Sequence, residues 1–222
     1  MSTSTTTPTR PRPGTDASTR TLLRAGLIAG PIFMLTATVQ VLVRDGFDLA
    51  RHPISLLAVG PGGWVQIANF ILAGLLGIAF AVGVARAVPT GASSRWAPIL
   101  LGLFGVGLVI GGAFPADGAF GFPAGAPDGI PATTSFHAKV HAVAPPLAFL
   151  SLIAACFVVA RRLGRDGHRA AAAWTRALAI VCFVLSVPFG PGASVRLFVA
   201  IGLAFAWQVW FAWRLLTERR AA

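Results

Sequence analysis

Four side chains of this sequence are candidates for catalysis: His52, Ser55, Asp117 and His141. Imidazoles and carboxylates transfer protons at neutral pH, and Asp117 is suited to orient His141 as a metal-free acid/base pair. The same groups are ligands for Zn²⁺, which keeps an open position for an activated water. Ser55, three residues after His52, would then orient a substrate oxygen or that water. Membrane hydrolases built on Ser, Asp and His use side chains of these types in the same roles.

One pair of histidines has the spacing of metal ligands. His137 and His141 are four residues apart, so on a helix they share one face while Lys139 points elsewhere. These two residues are the candidate zinc ligands. The sequence contains no GxSxG elbow, HExxH helix or carboxylate-rich phosphate motif, so no particular reaction is indicated.

The elements that must position these residues are membrane-spanning helices. The 222 residues are 55% hydrophobic and 11% charged, whereas soluble domains carry about 25% charged residues. Crossing about 30 Å of hydrocarbon takes roughly 20 helical residues. Six apolar stretches fit or come close: 22–43, 64–86, 96–114, 137–160, 173–190 and 196–214. We predict an all-α, polytopic membrane protein, a six-transmembrane-helix bundle over residues 21–216.

The basic residues predict how this bundle is oriented. With six spans, 14 of the 18 Lys and Arg residues fall on one side, and the other side holds Arg44, Arg51, Lys139 and Arg196. Because positive charge collects on the cytoplasmic side, both termini are predicted to be cytoplasmic, in a plasma membrane. The basic residues lie at the ends of apolar segments, which argues against a nucleic-acid partner and favours membrane lipids. Residues 1–20 are predicted to be a disordered tail and 217–222 a short one.

Two long loops, 44–63 and 115–136, then lie on the outer side, and the candidate residues lie in or next to them. Pro53 and Gly60-Pro61 predict a helix of about two turns at the outer interface. Gln66 and Asn69 follow just inside the second span, where polar side chains need partners, so we expect them to face the bundle interior. Cys156 and Cys182 lie inside apolar segments without metal or redox spacing and are interpreted as packing residues.

Two strings of residues carry a family resemblance. The first runs Phe47-Asp48, Arg51-His52-Pro53-Ile54-Ser55, Leu57-Ala58-Val59-Gly60, Gly63-Trp64-Val65-Gln66 and Asn69-Phe70. The second runs Phe114-Pro115-Ala116-Asp117, Gly121-Phe122-Pro123 and His141. The chain, from about residue 25 to 214, resembles the bacterial membrane family called domain of unknown function 998. The resemblance implies a multi-span bacterial membrane protein and supplies no activity.

Three classes of function remain open on the residues alone. Asp48, Arg51, His52, Asp117 and His141 are predicted to form a structural polar network that closes the outer end of the bundle, with an ion pair between Asp48 and Arg51. The second class is a membrane-embedded hydrolase or other enzyme acting on a lipid-like substrate. The third is a lipid or small-molecule binding or transport protein, in which Arg44 or Arg51 meets an anionic head group.

Overall fold

The computed structural model describes residues 17–88, 92–190 and 192–218. Seven α-helices and no strand occur within these residues. The helices are α1 (Ala17–Val43), α2 (Gly63–Ala87), α3 (Ala92–Ala113), α4 (Phe136–His141), α5 (Ala144–Arg165), α6 (Arg169–Leu185) and α7 (Ala193–Glu218). A 3₁₀ helix, Ile54–Ala58, lies between α1 and α2. The prediction of an all-helical protein is confirmed.

Five segments of the described chain are long and apolar enough to cross a membrane. They are Ala17–Val43, Gly63–Ala87, Arg95–Ala113, Phe136–Arg165 and Ala193–Glu218. A chain with this many spanning segments is a multi-pass membrane protein, as predicted. α6 is also apolar but has only 17 residues, which is the lower end of the range for a spanning helix.

The long helices form a closed ring around one apolar core. Around the ring, α1 contacts α2, α2 contacts α3, α3 contacts α5, α5 contacts α6, α6 contacts α7, and α7 returns to α1. Phe33, Phe80 and Trp207 are fully buried in the centre. Cys156 and Cys182 are free and buried within the same core, which confirms that they are packing residues.

Small residues allow the helices of this ring to approach closely. Gly26 of α1 faces the ring of Phe80, Gly30 faces Phe205, and Gly107 of α3 faces Ala148. The backbones of α2 and α3 also approach closely, because a Cβ atom added at Gly105 would lie 2.7 Å from the carbonyl oxygen of Gly74. Without a hydrophobic drive for helix association in lipid, such contacts hold the bundle together through van der Waals packing.

Gly105→Ala is therefore expected to destabilise the protein, by about 1–3 kcal/mol, because the new methyl group must push α2 and α3 apart. Gly102→Ala, one turn earlier on α3, is the matched control, since its Cβ would meet only Ala81 at 3.8 Å. Thermal unfolding in detergent should show a lower midpoint for Gly105→Ala alone. Equal midpoints for the two variants would contradict the close contact.

The predicted span 137–160 corresponds to the membrane-crossing segment Phe136–Arg165. Within this segment the helix is divided into α4 and α5, because Pro145 and Pro146 have no N–H to continue the hydrogen bonding of α4 and instead begin a new helix. The predicted disordered tail ends earlier than residue 20. Residues 17–20 are already helical, and the Arg86 guanidinium donates a hydrogen bond to the Ser18 hydroxyl at 3.0 Å. Residues 1–16 and 219–222 lie outside the described residues.

The short helix predicted between Pro53 and Gly60-Pro61 is confirmed as a 3₁₀ helix of five residues, Ile54–Ala58. Its apolar side chains are buried: Ile54 and Leu57 belong to the bundle core, and Leu56 packs with Ala119 and Phe122 of the second loop. The predicted span 173–190 is helical only as far as Leu185. Residues 187–189 are neither helical nor extended strand. The 3₁₀ helix thus brings part of loop 44–63 inward over the end of the ring, whereas residues 187–190 after α6 remain exposed.

Candidate functional site

Loops 44–62 and 114–135 together cover one end of the ring, and we call them the cap. His52, which is 2% exposed, joins the two loops. The backbone N–H of Asp48 donates to Nδ1 of His52 at 2.9 Å, so the ring proton is on Nε2. Nε2 lies 3.0 Å from the carbonyl oxygen of Phe120 and donates to it. Both nitrogens of His52 are thus occupied by backbone groups and are not free for a metal or a substrate.

Aromatic rings hold the imidazole of His52 in place. The ring of Phe47 lies 5.3 Å from the His52 ring and that of Phe122 lies 5.4 Å away, centroid to centroid. Phe47 and Phe122 also contact each other edge to face at 5.2 Å. Residues from both loops therefore enclose His52 in an apolar cluster, where an unpaired ring nitrogen would be costly.

Arg44 holds the 3₁₀ helix against the end of α1. Its guanidinium donates to the carbonyl oxygens of Leu57 at 3.0 Å and Val59 at 2.8 Å. The same group lies 5.4 Å from the centroid of the Phe122 ring, a cation–π contact to the second loop. The Arg44 guanidinium thus bonds to groups within the cap, and its role in this structure is to hold the cap together.

The predicted ion pair between Asp48 and Arg51 is wrong, since no such pair occurs in the part of the chain that the structure describes. The Asp48 carboxylate instead accepts the N–H of Ala50 at 2.8 Å, a local turn typical of aspartate. The Arg51 guanidinium reaches the carbonyl oxygen of Phe120 at 3.2 Å. Arg51 and His52 thus meet on one acceptor, and the two loops are joined through backbone groups.

Asp117 is engaged at the start of α4. Its Oδ2 accepts the backbone N–H of Ser135 at 2.8 Å, while the Ser135 hydroxyl accepts the N–H of Ala138 and so caps the helix. Hydrogen bonds from the hydroxyl and the N–H of Ser135 lower the pKa of Asp117, and the nearby charge of His137 adds a smaller effect in the same direction. No hydrogen bond or ion pair joins Asp117 to His52 or His141 among the described residues.

His141 has a different environment from the other three candidates. It is buried, and its Nδ1 lies 2.8 Å from the carbonyl oxygen of Phe114 and 3.2 Å from that of Gly111, at the end of α3. Because both partners only accept, Nδ1 carries a proton, and in the neutral imidazole Nε2 then holds the lone pair. The His137 ring is exposed and packs edge to face on Phe114. No group of three His, Cys, Asp or Glu side chains suited to a metal occurs in the described residues.

Beneath the cap lies a cavity of about 70 Å³. Its walls are apolar, and most of them come from α3, α5 and α7. Among the lining residues are Phe33, Phe70, Phe104, Phe205, Leu108 and Ile201. Ser55 and His141 contribute the polar side chains of this lining, and no hydrogen bond joins the Ser55 hydroxyl to any described residue. The structure thus brings Ser55 and His141 to one cavity and places His52 and Asp117 elsewhere in the cap.

A family model described as "Protein of unknown function (DUF998)" matches residues 27–217. This range takes in the cap, the cavity and all but the first ten residues of α1. The chain belongs to the DUF998 family. The comparisons with curated proteins and with solved structures gave no match.

This DUF998 protein also has a buried polar cluster that the sequence revealed only in part. Gln66 and Asn69 face the interior, as predicted. The missed member is Gln40 of α1, whose Nε2 donates to Oε1 of Gln66 at 2.7 Å. Asn69 donates to the carbonyl oxygen of Phe33 at 3.1 Å. A glutamine inside the apolar run of α1 was the available signal, because polar groups at that depth need partners.

Proposed function

We propose that this DUF998 protein binds the hydrocarbon part of a membrane amphiphile in the cavity beneath the cap. The observation that carries the proposal is the lining, which is apolar except for Ser55 and His141. A pocket with apolar walls and a few convergent polar groups is typical of a small-molecule site. The cavity itself is small, so it holds one segment of a chain, with the polar part of the ligand near the Ser55 hydroxyl and the free Nε2 of His141.

The proposed route to the cavity runs between α5 and α7, where several residues that line the cavity are also at least partly exposed. Pro145 is exposed, and Phe149, Leu197 and Ile201 are partly exposed while also lining the cavity. α6, which lies between α5 and α7 in the ring, contributes no residue to the described lining. An opening on the side of a membrane bundle faces lipid, so the ligand enters from the bilayer.

The same proposal includes a sixth span and a defined orientation. α6 contacts both α5 and α7 and buries Ala172, Thr175 and Leu178 against them, as a member of the ring does. With α6 counted, the distribution of Lys and Arg supports the proposal that both termini are cytoplasmic and that the cap lies outside a bacterial plasma membrane. A reporter enzyme active only outside the cytoplasm should be inactive when fused after Glu218 and active when inserted at Gly125, and the reverse result contradicts this orientation.

Ile201→Trp tests the binding site. The larger side chain is expected to fill the cavity and weaken binding of a pyrene-labelled fatty acid by about tenfold or more, since the probe then finds no apolar volume. Val199→Trp is the matched control, because Val199 lies two residues away on α7 and is 45% exposed. Purified protein in nanodiscs is titrated with the probe. If both variants bind like the unmodified protein, the cavity is not the site.

A second candidate function is hydrolysis or acyl transfer on the bound lipid. The observation that favours it is the hydrogen bonding of His141, whose Nδ1 donates to the Phe114 carbonyl oxygen, so that Nε2 of the neutral imidazole is available as a base, and His141 and Ser55 line the same cavity. In such a reaction the base takes the serine proton as the oxygen attacks the ester carbonyl, returns it to the alcohol that leaves, and water then releases the acyl group as the fatty acid. Ser55→Ala should then abolish release of fatty acid from a bound lipid ester while leaving probe binding unchanged. Equal release by both proteins excludes this function.

A further inference from the structure

A second cavity, of about 100 Å³, lies at the end of the ring opposite the cap. Its floor is apolar, with Val88, Ala97, Val159 and Phe211 among the contributing residues. Its rim is charged on two sides, by Arg162 and Asp166 at the end of α5 and by Arg214 and Glu218 at the end of α7. His168 completes the rim. Two basic and two acidic side chains thus surround the opening of a cavity with an apolar floor.

The charged residues of the rim are paired within their own helices. Nε of Arg162 lies 3.4 Å from Oδ2 of Asp166, and Arg214 pairs with Glu218. The Arg214 guanidinium also lies over the ring of Trp210 at 5.9 Å, which fixes its position. About half of each acidic side chain remains exposed, 51% for Asp166 and 49% for Glu218, so both carboxylates can accept further donors.

The positions of these two acids are not explained by helix stability. Both lie at helix C-termini, where the helix dipole favours cations. An arginine four residues before an acid is also the weaker order for an ion pair within a helix. Of the six Asp and Glu residues in the described chain, four lie in the cap and only Asp166 and Glu218 lie at this end. Both of them line the same cavity, although they come from different helices.

We propose that this cavity binds a zwitterion that carries a phosphate and a primary ammonium group, the head group of phosphatidylethanolamine. The guanidinium groups of Arg162 and Arg214 offer paired donors that match phosphate oxygens. The carboxylates of Asp166 and Glu218 accept the N–H donors of a primary ammonium, whereas a choline group has none to give. The apolar floor receives the adjoining part of the lipid. The proposal does not depend on the cavity beneath the cap.

Thermal unfolding of the full chain in detergent, with added lipid, tests this assignment. Phosphatidylethanolamine is expected to bind about tenfold more tightly than phosphatidylcholine or phosphatidylglycerol, because only its head group supplies donors for the acids and oxygens for the arginines. The double variant Asp166→Asn, Glu218→Gln should lose the preference over phosphatidylglycerol. Asp45→Asn, Asp128→Asn, which removes the same charge from the cap, is the control and should keep it.

Free phosphoethanolamine distinguishes the two sources of this head group. Competition by the free compound shows that the head group is sufficient, and absence of competition shows that the lipid chain is needed on the apolar floor. Equal binding of the three lipids by the unmodified protein overturns the proposal. So does an unchanged preference in the double variant when its unfolding without lipid matches that of the control.

Discussion

Replacing His52 with leucine is expected to lower the free energy of unfolding by about 2–4 kcal/mol. The substitution leaves the N–H of Asp48 and the carbonyl oxygen of Phe120 without the imidazole that now bonds to both. Because Phe47 and Phe122 pack around this position, the N–H of Asp48 is left without an acceptor, whereas the carbonyl oxygen of Phe120 keeps only the hydrogen bond from the exposed Arg51. Chemical unfolding in detergent measures the change, and amide hydrogen exchange over residues 114–135 should show faster exchange in the freed loop.

His137→Leu is the control for this variant. His137 lies near the same loop, but its ring is exposed and makes only aromatic contacts, so its replacement should change the stability by less than about 0.5 kcal/mol. Equal losses in the two variants would mean that the hydrogen bonds of His52 do not hold the loops together. A stable His52→Leu protein that binds no ligand would instead assign His52 to the binding site.

Arg44→Met is expected to destabilise the cap by a similar amount, about 2–4 kcal/mol, because two charge-assisted hydrogen bonds are lost. Methionine retains much of the apolar stem of arginine but cannot donate to the carbonyl oxygens of Leu57 and Val59. The effect should reach the cavity, since Arg44 anchors the 3₁₀ helix that carries Ile54 and Ser55 into the lining. Affinity for the pyrene-labelled fatty acid is therefore expected to fall together with the unfolding midpoint.

Arg51→Met is the matched control for Arg44. Arg51 is exposed and its guanidinium makes one hydrogen bond, to Phe120, so we expect a loss of about 1 kcal/mol or less and unchanged probe affinity. Arg44→Lys should restore little, because a single ammonium does not present the paired donors that reach two separate carbonyl oxygens. Full recovery with lysine would show that the positive charge alone matters.

The sequence by itself determined that the protein is helical and crosses the membrane several times, and that two polar residues of α2 face inward. In a chain with so few charged residues, a long continuous apolar segment such as α2 or α7 is stable mainly as a membrane-spanning helix. Because Gln66 and Asn69 are three residues apart on such a helix, they lie on the same face and point inward together. Small residues such as Gly107 likewise favour a close helix contact in a span, although Gly102 of the same helix makes none. These features depend on neighbours within a few turns of the same helix.

The candidate site was decided by the tertiary structure. His52 and its acceptor Phe120 are 68 residues apart, and the partner is a backbone carbonyl, which every residue has and which no sequence pattern distinguishes. For the same reason the Arg51 guanidinium bonds to the carbonyl oxygen of Phe120 and not to the Asp48 carboxylate, although charge and proximity favour the local ion pair. Ser55 and His141 share a cavity only because the 3₁₀ helix folds inward against α1 and α2. The types of the reactive residues are local information, whereas their partners depend on how two long loops fold over the ring.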